Sequence, residues 1–175
     1  MKKGFTLWFT GLPSSGKSTI ADAVAQELKK SNLQVERLDG DAFRKTFSSD
    51  LSFSAEDIKK NNERVISVSK SLTEKGMAVL VSLISPYRQS RENARKEIGD
   101  FVEVYVKCPL EECKKRDPKG NYKKALAGEI PNFIGISSPY EEPESPEVII
   151  ETDKEDVAQC AQKIIATLKK LGYLG

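Results

Sequence analysis

Eight consecutive residues carry the plainest chemistry in the chain: Gly11, Leu12, Pro13, Ser14, Ser15, Gly16, Lys17 and Ser18. They match G-x-x-x-x-G-K-[ST] in full, the pattern of a phosphate-binding loop. The two glycines let the backbone curl until successive N–H groups face one anion. The positive end of the helix that follows adds to that field. Lys17 is then expected to reach the β- and γ-phosphates of a nucleoside triphosphate such as ATP. The Ser18 hydroxyl is expected on Mg²⁺, with Thr19 in the same nucleotide-binding set.

Asp39-Gly40-Asp41 is the second constellation. A carboxylate just past a strand that neighbours such a loop can hold Mg²⁺ or accept the proton of an attacking hydroxyl. Asp39 is the candidate metal ligand beside Ser18, and Asp41 the candidate base. The same dipeptide also reads as a solvated Asp-Gly turn. There is no histidine. Ser-His-Asp triads, Cys-His dyads and histidine-bound metals are therefore excluded, and acid–base work falls to carboxylates, lysine or tyrosine. Cys108, Cys113 and Cys160 are too few and too scattered for a disulfide framework or a zinc site, which suits a reducing cytoplasm.

These groups need elements to hold them. Phe5–Thr10 is a short apolar run that reads as a buried strand leading into the loop. Lys17–Lys30 has helical apolar spacing at Ile20, Ala23, Val24 and Leu28. Residues 34–38 read as a second strand and residues 54–75 as a helix, with Ser54 as its cap and Gly76 as its stop. Strands are expected at 77–83, 101–106 and Val148–Glu151, and helices at Arg88–Ile98, Leu110–Arg116 and 154–171. Residues 117–146 hold eight glycines and prolines and read as a long functional loop, with a helical turn near 122–127. Strands alternating with helices predict an α/β fold: three layers, a mostly parallel sheet of about five strands, helices on both faces, and a lid.

The chain has 175 residues with 28 basic and 26 acidic side chains, a net charge of +2. That length suits a single domain spanning residues 1–175. The near-neutral balance offers no drive toward a nucleic acid polymer or a membrane surface, so any anion site must be local. No apolar run approaches the about 18 residues of a membrane span. The start, Met1-Lys2-Lys3-Gly4, runs straight into the first strand and leaves no room for a signal-peptide core.

The loop establishes nucleotide binding without choosing among kinase, GTPase and motor. An Asn-Lys-x-Asp guanine-reading motif is missing, and the lid favours a small-molecule kinase that must exclude water when it closes. Across nearly its whole length the chain resembles the adenylylsulfate kinase (APS kinase) family. The similar segments are Leu7-Trp8-Phe9-Thr10-Gly11-Leu12, Leu38-Asp39-Gly40-Asp41 with Arg44, Phe53-Ser54-x-Glu56-Asp57, Ile84-Ser85-Pro86-Tyr87, Glu103-Val104-Tyr105-Val106, Arg116-Asp117-Pro118-Lys119-Gly120 with Tyr122-Lys123-Lys124-Ala125, and Gly128-Glu129-Ile130 through Asn132-Phe133 to Ser138-Pro139-Tyr140-Glu141.

The resemblance implies transfer of the ATP γ-phosphate to the 3′-hydroxyl of adenosine 5′-phosphosulfate, with Mg²⁺. It implies Asp41 as base, and Arg44 and Asn61 on the 5′-phosphosulfate nucleotide. Phe53 and Phe133 would sandwich the base, Ile84 and Ser85 would line the same pocket, Lys119 would act from the lid, and Arg116 would lie on the ATP side. It also implies a homodimer. Judged by residue type alone, the two phenylalanines read as core and the basic residues as a solvated face.

Several positions depart from the family. Ile58 stands where the family usually has an arginine of the acceptor clamp, and isoleucine supplies neither charge nor donor. Glu63 replaces another arginine, Asn62 an apolar residue, Pro131 a lysine and Ile134 a threonine. Either Lys59 or Lys60 makes up the lost charge, or the acceptor is another 5′-modified nucleotide such as cytidine diphosphoramidate. A non-catalytic nucleotide-binding module is the remaining alternative, against which Lys17, Ser18 and Asp41 all speak.

Overall fold

Alternation along one strand sets the layers. In β1 (Phe5–Thr10) every residue is buried, but Phe5, Leu7 and Phe9 face one helical layer and Trp8 the other. A strand covered on both faces has this period-2 division. The computed structural model describes residues 3–175; the start of the N-terminal run, Met1 and Lys2, lies outside the described residues.

The chain continues through α1 (Lys17–Lys30), β2 (Val35–Asp39), α2 (Gly40–Phe47), α3 (Ala55–Glu74), β3 (Ala78–Ser82), α4 (Arg88–Ile98) and β4 (Phe101–Lys107). It then forms α5 (Leu110–Arg116), α6 (Asn121–Leu126), β5 (Val148–Glu151) and α7 (Val157–Lys170). The five strands form one parallel sheet in the order β2-β3-β1-β4-β5.

On one face, Ile20, Val24 and Leu28 of α1 and Ile164 and Leu168 of α7 pack on Leu7, Phe9 and Leu80. On the other, Val65 and Ile66 of α3 and Ala94 and Ile98 of α4 cover Trp8, Val79 and Val81. Each buried valine, leucine, isoleucine or phenylalanine among these contributes about 1.5–3 kcal/mol. A third cluster, Cys108, Cys113 and Tyr122 with Leu12, Leu110 and Phe133, seats the base of the 117–146 segment against the loop after β1. The fold class expected from the alternating elements is the one observed.

Two local readings need correction. Asp39-Gly40-Asp41 does not form a turn but starts α2, with the Asp39 carboxylate as N-cap accepting from the N–H of Asp41 (3.2 Å) and Ala42 (3.5 Å). Capping by the first Asp outweighs the turn tendency of Asp-Gly. The last helix begins at Val157 and not at residue 154, because Asp156 and Gln159 close a reciprocal capping box. The helical turn expected near 122–127 is present as the six-residue α6, and the same long segment holds a bridge between Ile134 and Ser138.

Candidate functional site

Parallel strands bring their carboxyl ends to one edge, and the site is built there. β1 delivers Gly11, where a Cβ would lie 2.5 Å from the Val106 carbonyl and 2.8 Å from Ser15 Oγ. Only glycine lets the chain turn so close to β4. Ser14 and Gly16 take positive φ values of 64° and 101° and curl the loop. Gly16 then caps α1 without any side-chain hydrogen bond. Among the described residues, the N–H groups of Gly16, Lys17, Ser18 and Thr19 have no acceptor in the protein. Four converging donors at a helix start form an anion cradle.

The Lys17 Nζ donates to the carbonyls of Leu12 (2.7 Å) and Gly11 (3.0 Å). Burial pushes its ammonium down to about 8, partly offset by the Asp39 and Asp41 carboxylates. No carboxylate pairs with it among the described residues. A cation held this way lacks a counter-charge that a phosphate would supply.

Ser18 Oγ donates to Asp39 Oδ2 at 2.6 Å, so the two expected metal ligands are adjacent. Burial works against the Asp39 charge, but the Ser18 hydroxyl and the N–H groups of Ala42 and Asp41 hold its carboxyl below the usual range. Two residues further on, Asp41 is ion-paired to Lys119. Both side chains are about two-thirds exposed (65% and 64%), so the pair bridges α2 and the α5–α6 connection across open solvent.

Arg44 donates to the Ser52 carbonyl at 3.0 Å, and its guanidinium lies 4.3 Å from the centre of the Phe53 ring. Phe53 is 63% exposed, a large apolar surface left open beside that arginine. Asn61 and Ser85 are 4% and 2% exposed, yet Asn61 Oδ1 and Ser85 Oγ have no hydrogen-bond partner. Buried polar atoms are rarely left so, and each omission costs about 1–3 kcal/mol. Ile84 offers its carbonyl to the Thr10 hydroxyl at 2.6 Å. Phe133 packs edge-on to Tyr122 at 5.0 Å and is not stacked with Phe53, whose ring neighbour is Arg44.

Arg116 donates to the Thr152 carbonyl (2.8 Å), the Thr152 hydroxyl (3.1 Å) and the Ser15 carbonyl (3.4 Å), which places it against the phosphate loop. Three residues to which the sequence reading gives no site role also shape the site. Thr152 bonds the loop directly. Tyr122 fixes α6 to it through the Pro13 carbonyl at 2.7 Å. Arg91, 3% exposed, donates to the carbonyls of Ser85 (2.6 Å) and Glu141 (2.5 Å) and pairs with Glu103 at 2.8 Å. The spacing of Arg88, Arg91 and Arg95 marks one helix face and could have signalled Arg91. Thr152 carries no local signal, since its partner Ser15 is 137 residues away.

An open phosphate loop on the central strand of a parallel sheet, a capped carboxylate beside it and a second carboxylate facing a lid lysine define a P-loop kinase. The family model for adenylylsulphate kinase matches residues 3–151, and the chain belongs to that family. It is 50% identical over 173 residues to the adenylyl-sulfate kinase of Halothermothrix orenii, covering 99% of this chain and 94% of that one. It is 49% identical over 172 residues to the adenylyl-sulfate kinase of Picosynechococcus sp., covering 98% and 97%. The Mycobacterium tuberculosis APS kinase in complex with AMPPNP and APS superposes with a TM-score of 0.93 at 41% identity, over 97% of this chain and 99% of that one. A hexameric APS kinase from Thiobacillus denitrificans gives 0.76 at 31% identity, over 99% of this chain and 30% of that one. No helix among the described residues is long and apolar enough to cross a membrane.

Proposed function

We propose that the chain is an adenylyl-sulfate kinase, transferring the γ-phosphate of ATP to the 3′-hydroxyl of adenosine 5′-phosphosulfate. The observation that carries this reading is the pair of buried, partnerless polar atoms, Asn61 Oδ1 and Ser85 Oγ, on the β2–β3 side of the phosphate loop. Together with Arg44, exposed Phe53 and Ile84 they offer hydrogen bonds, a guanidinium and a flat ring to a second nucleotide. Phe133 joins this set only when the lid closes, because its ring now rests on Tyr122.

Mg²⁺ binds through one or two protein oxygens plus substrate phosphates and water, and Ser18 Oγ and Asp39 Oδ2 provide that set. Bound there, the ion would neutralise charge on the transferring phosphoryl group. The free N–H groups of residues 16–19 hold the triphosphate, and Lys17 leaves the Gly11 and Leu12 carbonyls for it. Asp41 gives up Lys119 and accepts the 3′-hydroxyl proton as the hydroxyl attacks in line. Lys119, freed, turns to the phosphates or to the acceptor. Arg116 stays on the ATP side, and the lid closes last and excludes water.

Of the two lysines near Ile58, Lys60 is committed to Glu56 at 2.9 Å and Asp57 at 3.9 Å. Lys59 has no carboxylate partner among the described residues and lies 5.7 Å from the centre of the Tyr87 ring, next to Ser85-Pro86. It is the cation that replaces the missing arginine. The proposal includes work in the cytoplasm and a homodimer, the latter read out by sedimentation.

Initial rates with Mg-ATP decide the acceptor. Adenosine 5′-phosphosulfate is expected to turn over far faster than cytidine diphosphoramidate. Turnover of the cytidine compound alone would overturn the reading, and turnover of neither would favour the non-catalytic module.

A further inference from the structure

The peptide between Ser15 and Gly16 is the last one before the open turn of α1. Its carbonyl is engaged from outside the cradle. The Thr152 hydroxyl donates to it at 2.7 Å, and Arg116 Nη1 lies 3.4 Å away. A trans peptide is planar, with C=O and N–H pointing in opposite directions. A carbonyl tied to one side therefore aims the Gly16 N–H to the other, where the free N–H groups of Lys17, Ser18 and Thr19 converge.

Thr152 is itself held on every polar atom. Its N–H donates to the Lys107 carbonyl at 3.1 Å, which fixes it at the end of the β4–β5 ladder. Its carbonyl accepts from Arg116 at 2.8 Å, and its hydroxyl oxygen accepts from the same guanidinium at 3.1 Å. The one hydroxyl proton is thus left for Ser15. The Thr152 methyl sits beneath Gly16, 3.6 Å from where a Cβ would stand. The residue meets the loop with a donor and an apolar support at once.

We propose that Thr152 is a positioning residue for the triphosphate: its hydroxyl holds the Ser15 carbonyl outward and thereby aims the Gly16 N–H at the phosphates. Gly16 has positive φ and no Cβ, so the peptide before it is the one most free to flip. Glycine makes the curl and Thr152 selects its orientation. Arg116 works through the same threonine and fixes its rotamer. The inference rests on the kinase reading of the phosphate loop and not on the choice of acceptor, so an error in the acceptor leaves it standing.

The test uses the whole chain with Mg²⁺ and no acceptor, titrated separately with ATP and with inorganic tripolyphosphate. Thr152→Val keeps the shape and removes the donor; Thr152→Ser keeps the donor and removes the methyl. Thr152→Val is expected to weaken both ligands by about tenfold, the scale of one lost hydrogen bond with its acceptor left short. Thr152→Ser is expected to stay within about twofold of the parent. In turnover, the KM for ATP rises in Thr152→Val while the acceptor KM holds. Unchanged tripolyphosphate binding in Thr152→Val overturns the proposal, because the residue would then act on the base or ribose. Equal losses in both variants also overturn it. If Thr152→Val melts well below the parent, a rise in both KM values means general loosening and refutes the idea, whereas a rise confined to ATP upholds it.

Discussion

Lys17 gives the sharpest quantitative handle on the site. Its ammonium titrates in the folded protein at about 8, against an ordinary 10.5. At about 1.4 kcal/mol per unit, that burial costs the charged form about 3 kcal/mol. The folded pKa lies below the unfolded one, so between about pH 8 and 10.5 the unfolded chain binds the additional proton, and stability from this group rises with pH across that window. Below about pH 8 the full penalty is carried. A triphosphate in the cradle supplies the missing counter-charge and restores the ammonium. Binding of ATP must then take up a proton.

With a free value near 8, uptake should be about 0.1 proton at pH 7 and about 0.8 at pH 8.5. ATP affinity should be level below about pH 8 and then fall, approaching tenfold per pH unit. Calorimetric titration in two buffers of different ionisation enthalpy, near pH 8.5 where the terminal phosphate of ATP is fully ionised, reads the uptake directly. Lys17→Met is the control. Zero uptake in the parent protein, or equal uptake in Lys17→Met, would refute the argument that Lys17 waits in the loop as an undercompensated cation.

Three further outcomes follow from the geometry. Asp41→Asn should lower kcat by about 10²–10⁴, the range of a positioned general base, and leave ATP affinity within about twofold; an unchanged kcat removes Asp41 from the mechanism. Lys59→Ala should raise the acceptor KM by about tenfold, with ATP KM constant, and Lys59→Arg should restore it; no change would assign the charge elsewhere. Arg91→Ala takes from buried Glu103 the closer of its two arginines, leaving Arg95 at 3.5 Å, and deprives two carbonyls of a donor, so chemical denaturation should show a loss of about 3 kcal/mol, the low end for a broken buried pair. Burial already pushes the Glu103 carboxyl up, with Arg91 opposing. Without Arg91 the raised folded value means the deficit deepens as pH rises through it and eases toward acid; a pH-independent deficit contradicts this.

The readable parts of the fold were those with short-range causes. Gly11, Gly16 and Lys17 announce strand, curl and helix within eight residues, and the apolar runs of β1 and β3 leave little room for another assignment. Ser54 announced the start of α3, and its hydroxyl does accept from the Asp57 N–H. Helix α2 was lost because Asp-Gly signals a turn, and only the strand before it turns Asp39 into a cap. Ser18 and Asp39, named together by the sequence, are hydrogen-bonded, and Arg44 lies on Phe53, whereas Phe133 packs on Tyr122 and not opposite Phe53. Thr152 was illegible for a different reason. Its partner in the phosphate loop is the Ser15 carbonyl, which has no residue type to recognise.

The strand order has a consequence for how such a protein can change. β1 stands in the middle: Arg116 and Thr152 come from the β4–β5 side, while Asp41, Arg44, Asn61 and Ser85, the residues proposed for the acceptor, come from the β2–β3 side. The substitutions at 58, 62 and 63 all sit on α3, in the second group, and touch none of the bonds that shape the phosphate loop. One flank can therefore drift toward a new acceptor while the other goes on delivering phosphate. The fold behaves as an engine with an interchangeable fitting, and the seam between the two runs down a single buried strand.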